Sequence, residues 1–279
     1  MRISIALPNT VPGADGGLLT EWAKRAEARG FASLAVTERL VYPGHDPLLT
    51  LAAAAAATSR IGLLTNVLIG PLRTAPVLAK SVATLATLSA GRLVLGLGPG
   101  VREDDFEAAG RSFAGRREAF EEQLELLGRG AAGEAAGPGA GPGVPVLVAG
   151  LSAAAVRRVV RWGDGWTAPG LEPEAVLPFA ARVRRAWSEG GRSGAPRIVG
   201  LARFALGEDV ERESAAFVRD YFSVLGAEAE EFVAKTPRTP ERIRRVVAAL
   251  ADGGVDEVVM HPTAAALSQV DRLADVLLP

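Results

Sequence analysis

The sequence predicts an α/β chain closed into a single (β/α)8 TIM barrel, and three observations carry that expectation. Eight short β-branched and leucine-rich runs recur: "ISIALP" (3–8), "SLAVTE" (33–38), "IGLLTNVLIG" (61–70), "LVLGLG" (93–98), "VPVLVAG" (144–150), "GWTAP" (165–169), "RIVGLARFAL" (197–206) and "VDEVVMHPT" (255–263). They are mostly continuous rather than alternating, as parallel strands buried on both faces are. Amphipathic segments of helical length separate them, and eight such units fit 279 residues. An open, doubly wound sheet is the alternative arrangement of the same units.

The helices follow in order. "GLLTEWAKRAEARG" stops on Gly30, and "APVLAKSVATLATLSAGR" closes on Gly91. "GRREAFEEQLELLGRG" places Phe120, Leu124 and Leu127 on one face. "SAAAVRRVVRWG" starts from Ser152 as N-cap, and "TPERIRRVVAALADGG" from Thr239, with Pro240 at the first helical position. The arginine-rich stretches 157–161, 182–185 and 242–245 read as solvated outer faces.

Two segments break the rhythm. "AAGEAAGPGAGPG" (131–143) reads as a linker. It does not divide the domain 1–279, because a half-barrel on either side would leave its strands uncovered. The stretch 208–236 is long for one crossover and is expected to form an extra helical segment over the barrel mouth.

Composition narrows the partners. Hydrophobic residues make up 48% and charged ones 23%, enough for a core. A net charge of −1 with no basic block argues against nucleic acid or an anionic membrane. The absence of cysteine removes disulfides and thiolate chemistry, and the two histidines, His45 and His261, are too few for a His-based zinc site, so no metal is expected. "MRISIALPNT" lacks the apolar core of a leader. The most apolar region breaks at Ser59-Arg60-Ile61-Gly62 into pieces shorter than the ~20 residues a membrane span needs. A soluble, cytoplasmic protein is expected.

In such a barrel, function gathers at the C-terminal strand ends. Those ends carry Pro8-Asn9, Thr37-Glu38-Arg39, Thr65-Asn66-Val67, Gly98-Pro99-Gly100, Gly150-Leu151-Ser152, Thr167-Ala168-Pro169, Arg203-Phe204 and His261-Pro262-Thr263. Only Glu38, Arg39, Arg203 and His261 are obvious ionisable groups there. A rim so rich in small residues suits a flat, bulky cofactor lying against backbone better than a hydrolytic constellation. Each feature also has a plainer reading. Gly98 and Gly100 fit a tight turn, Ser152 an ordinary helix cap, and Glu38-Arg39 a solvated pair. His261 fits a donor to a backbone carbonyl, and His45 a surface loop. "GLGPG" is not a dinucleotide fingerprint, since Glu103 stands where a third glycine would be needed.

Five blocks then occur in a telling order: "GFASLAVTER" (30–39), "AAAATSRIGLLTNVL" (54–68), "LATLSAGRLVLGLGPG" (85–100), "VPVLVAGLSAAAVRRVVRWGDGW" (144–166) and "GVDEVVMHPT" (254–263). On these the chain resembles the bacterial luciferase-like family of flavin- or deazaflavin-dependent oxidoreductases. The likeness runs from residue 2 to about 277. The resemblance implies a cofactor ring in the barrel mouth, supported by a bulge at Thr65, Asn66 and Val67 with a cis peptide between the last two. It implies that Gly98, Gly100 and Val101 pass close to the ring or its side chain. Gly150, Leu151 and Ser152, with Ala149 before them, would hold the ribityl phosphate.

Where many relatives carry an acidic residue followed by histidine, this chain has Glu38-Arg39. Arginine does not transfer protons near neutral pH, so Arg39 would instead stabilise negative charge on cofactor or substrate. Glu38, Arg39 and His261 are the catalytic candidates. The implied activity is hydride transfer between coenzyme F-420 and a small organic substrate. The alternatives are a monooxygenase using reduced FMN and a non-catalytic flavin-binding protein. An Ala-, Arg- and Gly-heavy composition of high-GC type leans toward F-420. A non-redox phosphate-sugar barrel enzyme is disfavoured by the lack of a rim lysine and of paired carboxylates. Family members often pair, so a homodimer is open.

Overall fold

The computed structural model describes residues 1–128, 143–170 and 172–279. The linker expected at 131–143 therefore lies outside the described residues, apart from Gly143. Eight strands form a closed barrel in chain order: β1 (Arg2–Ala6), β2 (Ser33–Val36), β3 (Gly62–Ile69), β4 (Leu93–Gly98), β5 (Val146–Ala149), β6 (Gly165–Thr167), β7 (Arg197–Phe204) and β8 (Glu257–Pro262). Every pairing is parallel, and β8 closes onto β1 through Ile3 opposite Val258 and Ile5 opposite Met260. The closed barrel is formed and the open sheet is not. β1 and β2 end two residues before the apolar runs do, because Leu7 and Thr37 already turn into the loops of the mouth.

The helices are α1 (Gly16–Ala28), α2 (Pro47–Ala57), α3 (Ala75–Leu88), α4 (Glu103–Ala108), α5 (Arg116–Gly128), α6 (Ala153–Trp162), α7 (Pro173–Glu189), α8 (Glu211–Tyr221), α9 (Ala229–Lys235), α10 (Pro240–Asp252) and α11 (Ser268–Leu277). Their starts obey capping chemistry. Ser152 Oγ accepts from the Ala155 N–H at 3.2 Å, and Thr239 Oγ1 accepts from the Arg242 N–H at 3.3 Å. Arg158 departs from the solvated face expected at 157–161. It is buried, pairs with Glu121 at 2.9 Å and lies over the Phe120 ring, because α5 packs against this side of α6.

Two apolar layers hold the barrel. Strand side chains that face outward meet the helices in a continuous core that includes Trp22, Leu51, Phe120 and Trp166. Those that face inward form a separate cluster of Ala6, Ala35, Leu64, Leu147, Val199 and Val259, with Val94 against it. The split follows from the two-residue period of a strand. It also sets which residues reach the mouth two and four positions further along.

Between β7 and α10 the chain makes its long excursion through α8 and α9. Phe217, Val218 and Val233 of this excursion cluster with Val11, and Tyr42 packs against them. The loops that follow β1 and β2 are therefore covered by α8 and α9. Tyr42 donates to Asp220 at 2.6 Å, and Arg102, just beyond β4, donates to the Tyr221 carbonyl at 2.7 Å. These polar ties seat the excursion on the mouth.

Candidate active site

Extending the inward row of each strand gives the floor of the mouth. Thr37 follows Ala35, Asn66 follows Leu64, and Gly96 and Gly98 follow Val94. Ala149 follows Leu147, Arg203 follows Val199 and Leu201, and His261 follows Val259. The mouth has two unlike sides. From β3 to β5 it is backbone, glycine and small apolar groups. From β7 through β8 to β2 it carries hydroxyls, a guanidinium and an imidazole.

The first side is organised by an irregularity in β3. Its register against β4 shifts between Thr65 and Leu68, and the Asn66–Val67 peptide is cis. Thr65 Oγ1 donates to the Gly96 carbonyl at 2.8 Å, and Asn66 Nδ2 donates across the lumen to Thr167 Oγ1 at 3.2 Å. Both side chains are buried, and they brace the bulge from β4 and from across the lumen. Val67, half-buried, is the member of the trio with surface in the mouth.

Gly96 makes the bulge possible. A Cβ there would lie 2.0 Å from the Thr65 carbonyl oxygen, which is backbone and cannot swing away. Gly96→Ala is therefore expected to destabilise the barrel by about 1–3 kcal/mol, the range for overpacking a core. Gly98→Ala, whose Cβ would sit 3.3 Å from Val67 Cγ2, is expected to be much milder. Urea denaturation of the two variants checks the contrast.

Gly98 is buried beside Val67 and Ala149. Gly100 has a different constraint: at φ +76° its Cβ would meet Ile69 Cγ2 and Phe106 Cε2, each at 2.7 Å. The chain's own packing thus already requires glycine at that turn. Val101 follows with 85% of its surface exposed, and Leu151, beyond β5, is 44% exposed. Gly150 adopts φ +117°, and its carbonyl accepts from Trp166 Nε1 at 2.8 Å. Ser152 then caps α6, whose first N–H groups point away from the helix.

Glu38 and Arg39 are both withdrawn from solvent, unlike a solvated strand-end pair. Glu38 accepts the Ile69 N–H at 2.6 Å and pairs with Arg73 at 2.7 Å. Burial pushes its pKa up, and Arg73 opposes that shift. Its carboxylate clamps the end of β3. Arg39 donates through Nε to Asp105 at 2.8 Å and through Nη2 to Asp104 at 3.2 Å. Its guanidinium also lies over the rings of Tyr42 and Tyr221. Arg39's charge is thus already met by carboxylates of α4.

The opposite side holds a cavity of about 40 Å³, lined by Thr10, Thr37, Arg203, Phe217, Tyr221 and His261, among others. Arg203 and His261 face each other in register on β7 and β8. His261 Nε2 is buried without a hydrogen-bond partner. Desolvation, with Arg203 beside it, pushes the His261 pKa down to about 3, so the imidazole is neutral at ordinary pH. His45 lies in the loop before α2, where its Nε2 meets the Ala14 carbonyl at 2.8 Å.

Residues 1–275 match the family model described as luciferase-like monooxygenase. The chain belongs to that family. An uncharacterized protein of Mycobacterium tuberculosis is 28% identical over 61% of this chain and 72% of its own length. A shorter match joins it to an F-420-dependent glucose-6-phosphate dehydrogenase of Kineococcus radiotolerans, 38% identical over 37% of this chain and 33% of that protein. Among solved structures, an F-420-dependent secondary alcohol dehydrogenase in complex with an F-420–acetone adduct superposes with a TM-score of 0.79 at 14% identity. That match covers 99% of this chain and 98% of the other. A monooxygenase from Streptomyces bottropensis gives 0.75 at 22%, covering 100% and 99%. At such identities these two likenesses concern the fold.

This luciferase-like chain uses residues that sequence reasoning passed over. Asp105 is fully buried and holds Arg39 together with the Leu40 and Val41 N–H groups, at 2.8 and 3.0 Å. Tyr221, on the excursion, reaches the mouth. Arg203 was visible as a rim group, but its position in the inward row was not used. Counting by twos from Val199 would have found it.

Proposed function

We propose that this chain transfers a hydride between coenzyme F-420 and a small organic substrate. The observation that carries the reading is the division of the mouth. The β3–β5 side is bare backbone and apolar surface, with Val101 and Leu151 exposed at adjacent strand ends. Large apolar side chains left open there fit a flat ring system that covers them. Val67, Gly98 and Ala149 would face that ring, and Gly150, Leu151 and Ser152 at the N-terminus of α6 would hold a phosphate through backbone N–H groups. Gly100 and Val101 would border its side chain. When bound, F-420 supplies two-electron hydride chemistry without activating oxygen. The sequence likeness to the F-420-dependent dehydrogenase of Kineococcus supports the deazaflavin.

The chain's own residues do the rest. Thr65, Asn66 and Glu38 fix the bulge under the ring, and Arg39 with Asp105 ties the loop after β2 to α4. Phe217 and Tyr221 of the excursion keep water from the polar side. Neutral His261 offers a hydrogen bond to substrate rather than an imidazolium proton. No helix among the described residues is long and apolar enough to cross a membrane, and a cytoplasmic setting goes with this reading. So does a homodimer: Leu49 on α2 and Val77 on α3 present exposed apolar surface on helices that pack together.

The test is titration of the purified protein with F-420 and, separately, with oxidised and reduced FMN, followed by cofactor fluorescence. F-420 is expected to bind with a dissociation constant on the order of micromolar or tighter. Leu151→Glu is expected to weaken it at least about tenfold by placing a charge against the ring and phosphate. Preferential binding of reduced FMN would make the protein a monooxygenase instead. Binding without sustained turnover would leave a flavin-holding protein, and binding of neither would end the cofactor reading.

A further inference from the structure

Several arginines withdrawn into this fold are met by carboxylates: Arg39 by Asp104 and Asp105, Arg73 by Glu38 and Asp46, Arg197 by Glu257. Arg92 is met instead by backbone carbonyls and the Thr58 hydroxyl, and Arg102 by the Tyr221 carbonyl. Arg203 is different. Among the described residues its hydrogen bonding amounts to one long contact, Nη1 to the Gly170 carbonyl at 3.4 Å, and no carboxylate pairs with it. A guanidinium has five N–H donors in a fixed plane, so most of its donor edge is unused. The Phe222 ring lies under it, 4.5 Å from the guanidinium carbon to the ring centroid, which holds the plane in place. Desolvation pulls the Arg203 pKa down, and the Tyr221 hydroxyl is the group that offsets it.

Beside it, His261 Nε2 is buried without a hydrogen-bond partner. The two residues are cross-strand neighbours on the inward row, and they share one small cavity with Thr10 and Thr37. That cavity, about 40 Å³, amounts to roughly three water positions, the size of a three-atom head. A wider cavity of about 270 Å³ between β7 and α9 also has Leu201 and Arg203 in its wall. That wider cavity also has Glu172, Glu228, Glu231 and Lys235 in its wall, whereas among the described residues no carboxylate lines the small one.

We infer that Arg203 and His261 form a subsite for the carboxylate of a small organic acid. The planar guanidinium edge matches a carboxylate's two oxygens, and a charge-assisted pair of this kind supplies the missing counter-ion. His261, neutral, donates a further hydrogen bond through Nε2 when its proton sits there. The acid lies on the side of the mouth opposite Gly98 and Leu151. The inference rests on the redox reading above only in taking the bound acid as substrate.

With only two histidines in the chain, the test is direct. Protein labelled with ¹⁵N-histidine is titrated with propionate and, separately, with its neutral analogue propionamide, and both imidazoles are followed by NMR. Propionate is expected to move the His261 resonances saturably, with a dissociation constant on the order of millimolar or tighter, while His45 stays still. Propionamide is expected to bind at least about tenfold more weakly. Equal responses to the two probes, or none to propionate, would overturn the inference without any variant. Arg203→Gln is expected to weaken propionate at least about tenfold and to leave F-420 affinity within about twofold. An equal loss of F-420 affinity would assign the guanidinium to the cofactor and overturn the subsite. If F-420 fails to bind the wild-type chain while propionate still shifts His261, the redox reading falls and the subsite stands.

Discussion

Asp105→Ala is expected to lower the unfolding free energy by about 3–5 kcal/mol, the range for breaking a buried ion pair from one side. Asp105 has no exposed surface and serves three donors at once: Arg39 Nε at 2.8 Å, Leu40 N–H at 2.8 Å and Val41 N–H at 3.0 Å. Alanine would leave two backbone N–H groups unpaired. It would also leave a guanidinium, 7% exposed as a side chain, with the exposed Asp104 as its one carboxylate among the described residues. Asp105→Asn keeps the shape and an acceptor and is expected to lose less. Adding Arg39→Met to Asp105→Ala is expected to recover part of the loss, because the uncompensated charge leaves with the arginine. Urea midpoints at constant slope measure all three. A wild-type midpoint for Asp105→Ala would mean that the loop after β2 is held by α8 rather than by α4.

The same cluster shows where sequence reading reaches its end. The strands were legible because burial on both faces leaves a plain mark, a continuous apolar run, and because Gly30, Ser152 and Thr239 punctuate the helices by local chemistry. The barrel followed from their strict alternation. Ion pairs between elements leave no such mark. Asp104 and Asp105 are adjacent and chemically identical, yet one is exposed and the other carries the loop. Only the rotation of α4, whose Phe106 is buried beside them, decides which aspartate turns inward. Glu38 and Arg39 were visible as a charged pair at a strand end, but their partners Arg73 and Asp105 lie 35 and 66 residues along the chain. Gly96 escaped notice for a related reason. Gly98 and Gly100 stand in a conspicuous motif, whereas the backbone approach at Gly96 comes from a register shift in the neighbouring strand.

Stability is expected to fall as the pH drops below about 6.5, with His261 responsible for a separable part of the fall. The imidazole titrates near 6.5 when the chain is unfolded and near 3 in the native state, where desolvation and Arg203 disfavour its charge. Between those values the unfolded chain binds a proton that the folded chain refuses, so stability declines with acidification at up to about 1.4 kcal/mol per pH unit. The contribution is complete above pH ~6.5 and reaches its full loss only below pH ~3. From about pH 6.5 to 4.5 it amounts to roughly 2–3 kcal/mol. Comparison with His261→Gln isolates it, because every other titrating group is common to both proteins and cancels in the difference. The wild-type curve is expected to steepen relative to the variant through this window. Parallel curves would mean that His261 takes up its proton in the folded state, beside a guanidinium. An imidazolium tolerated there would require an anion already between the two, so the measurement is made in a buffer free of carboxylates.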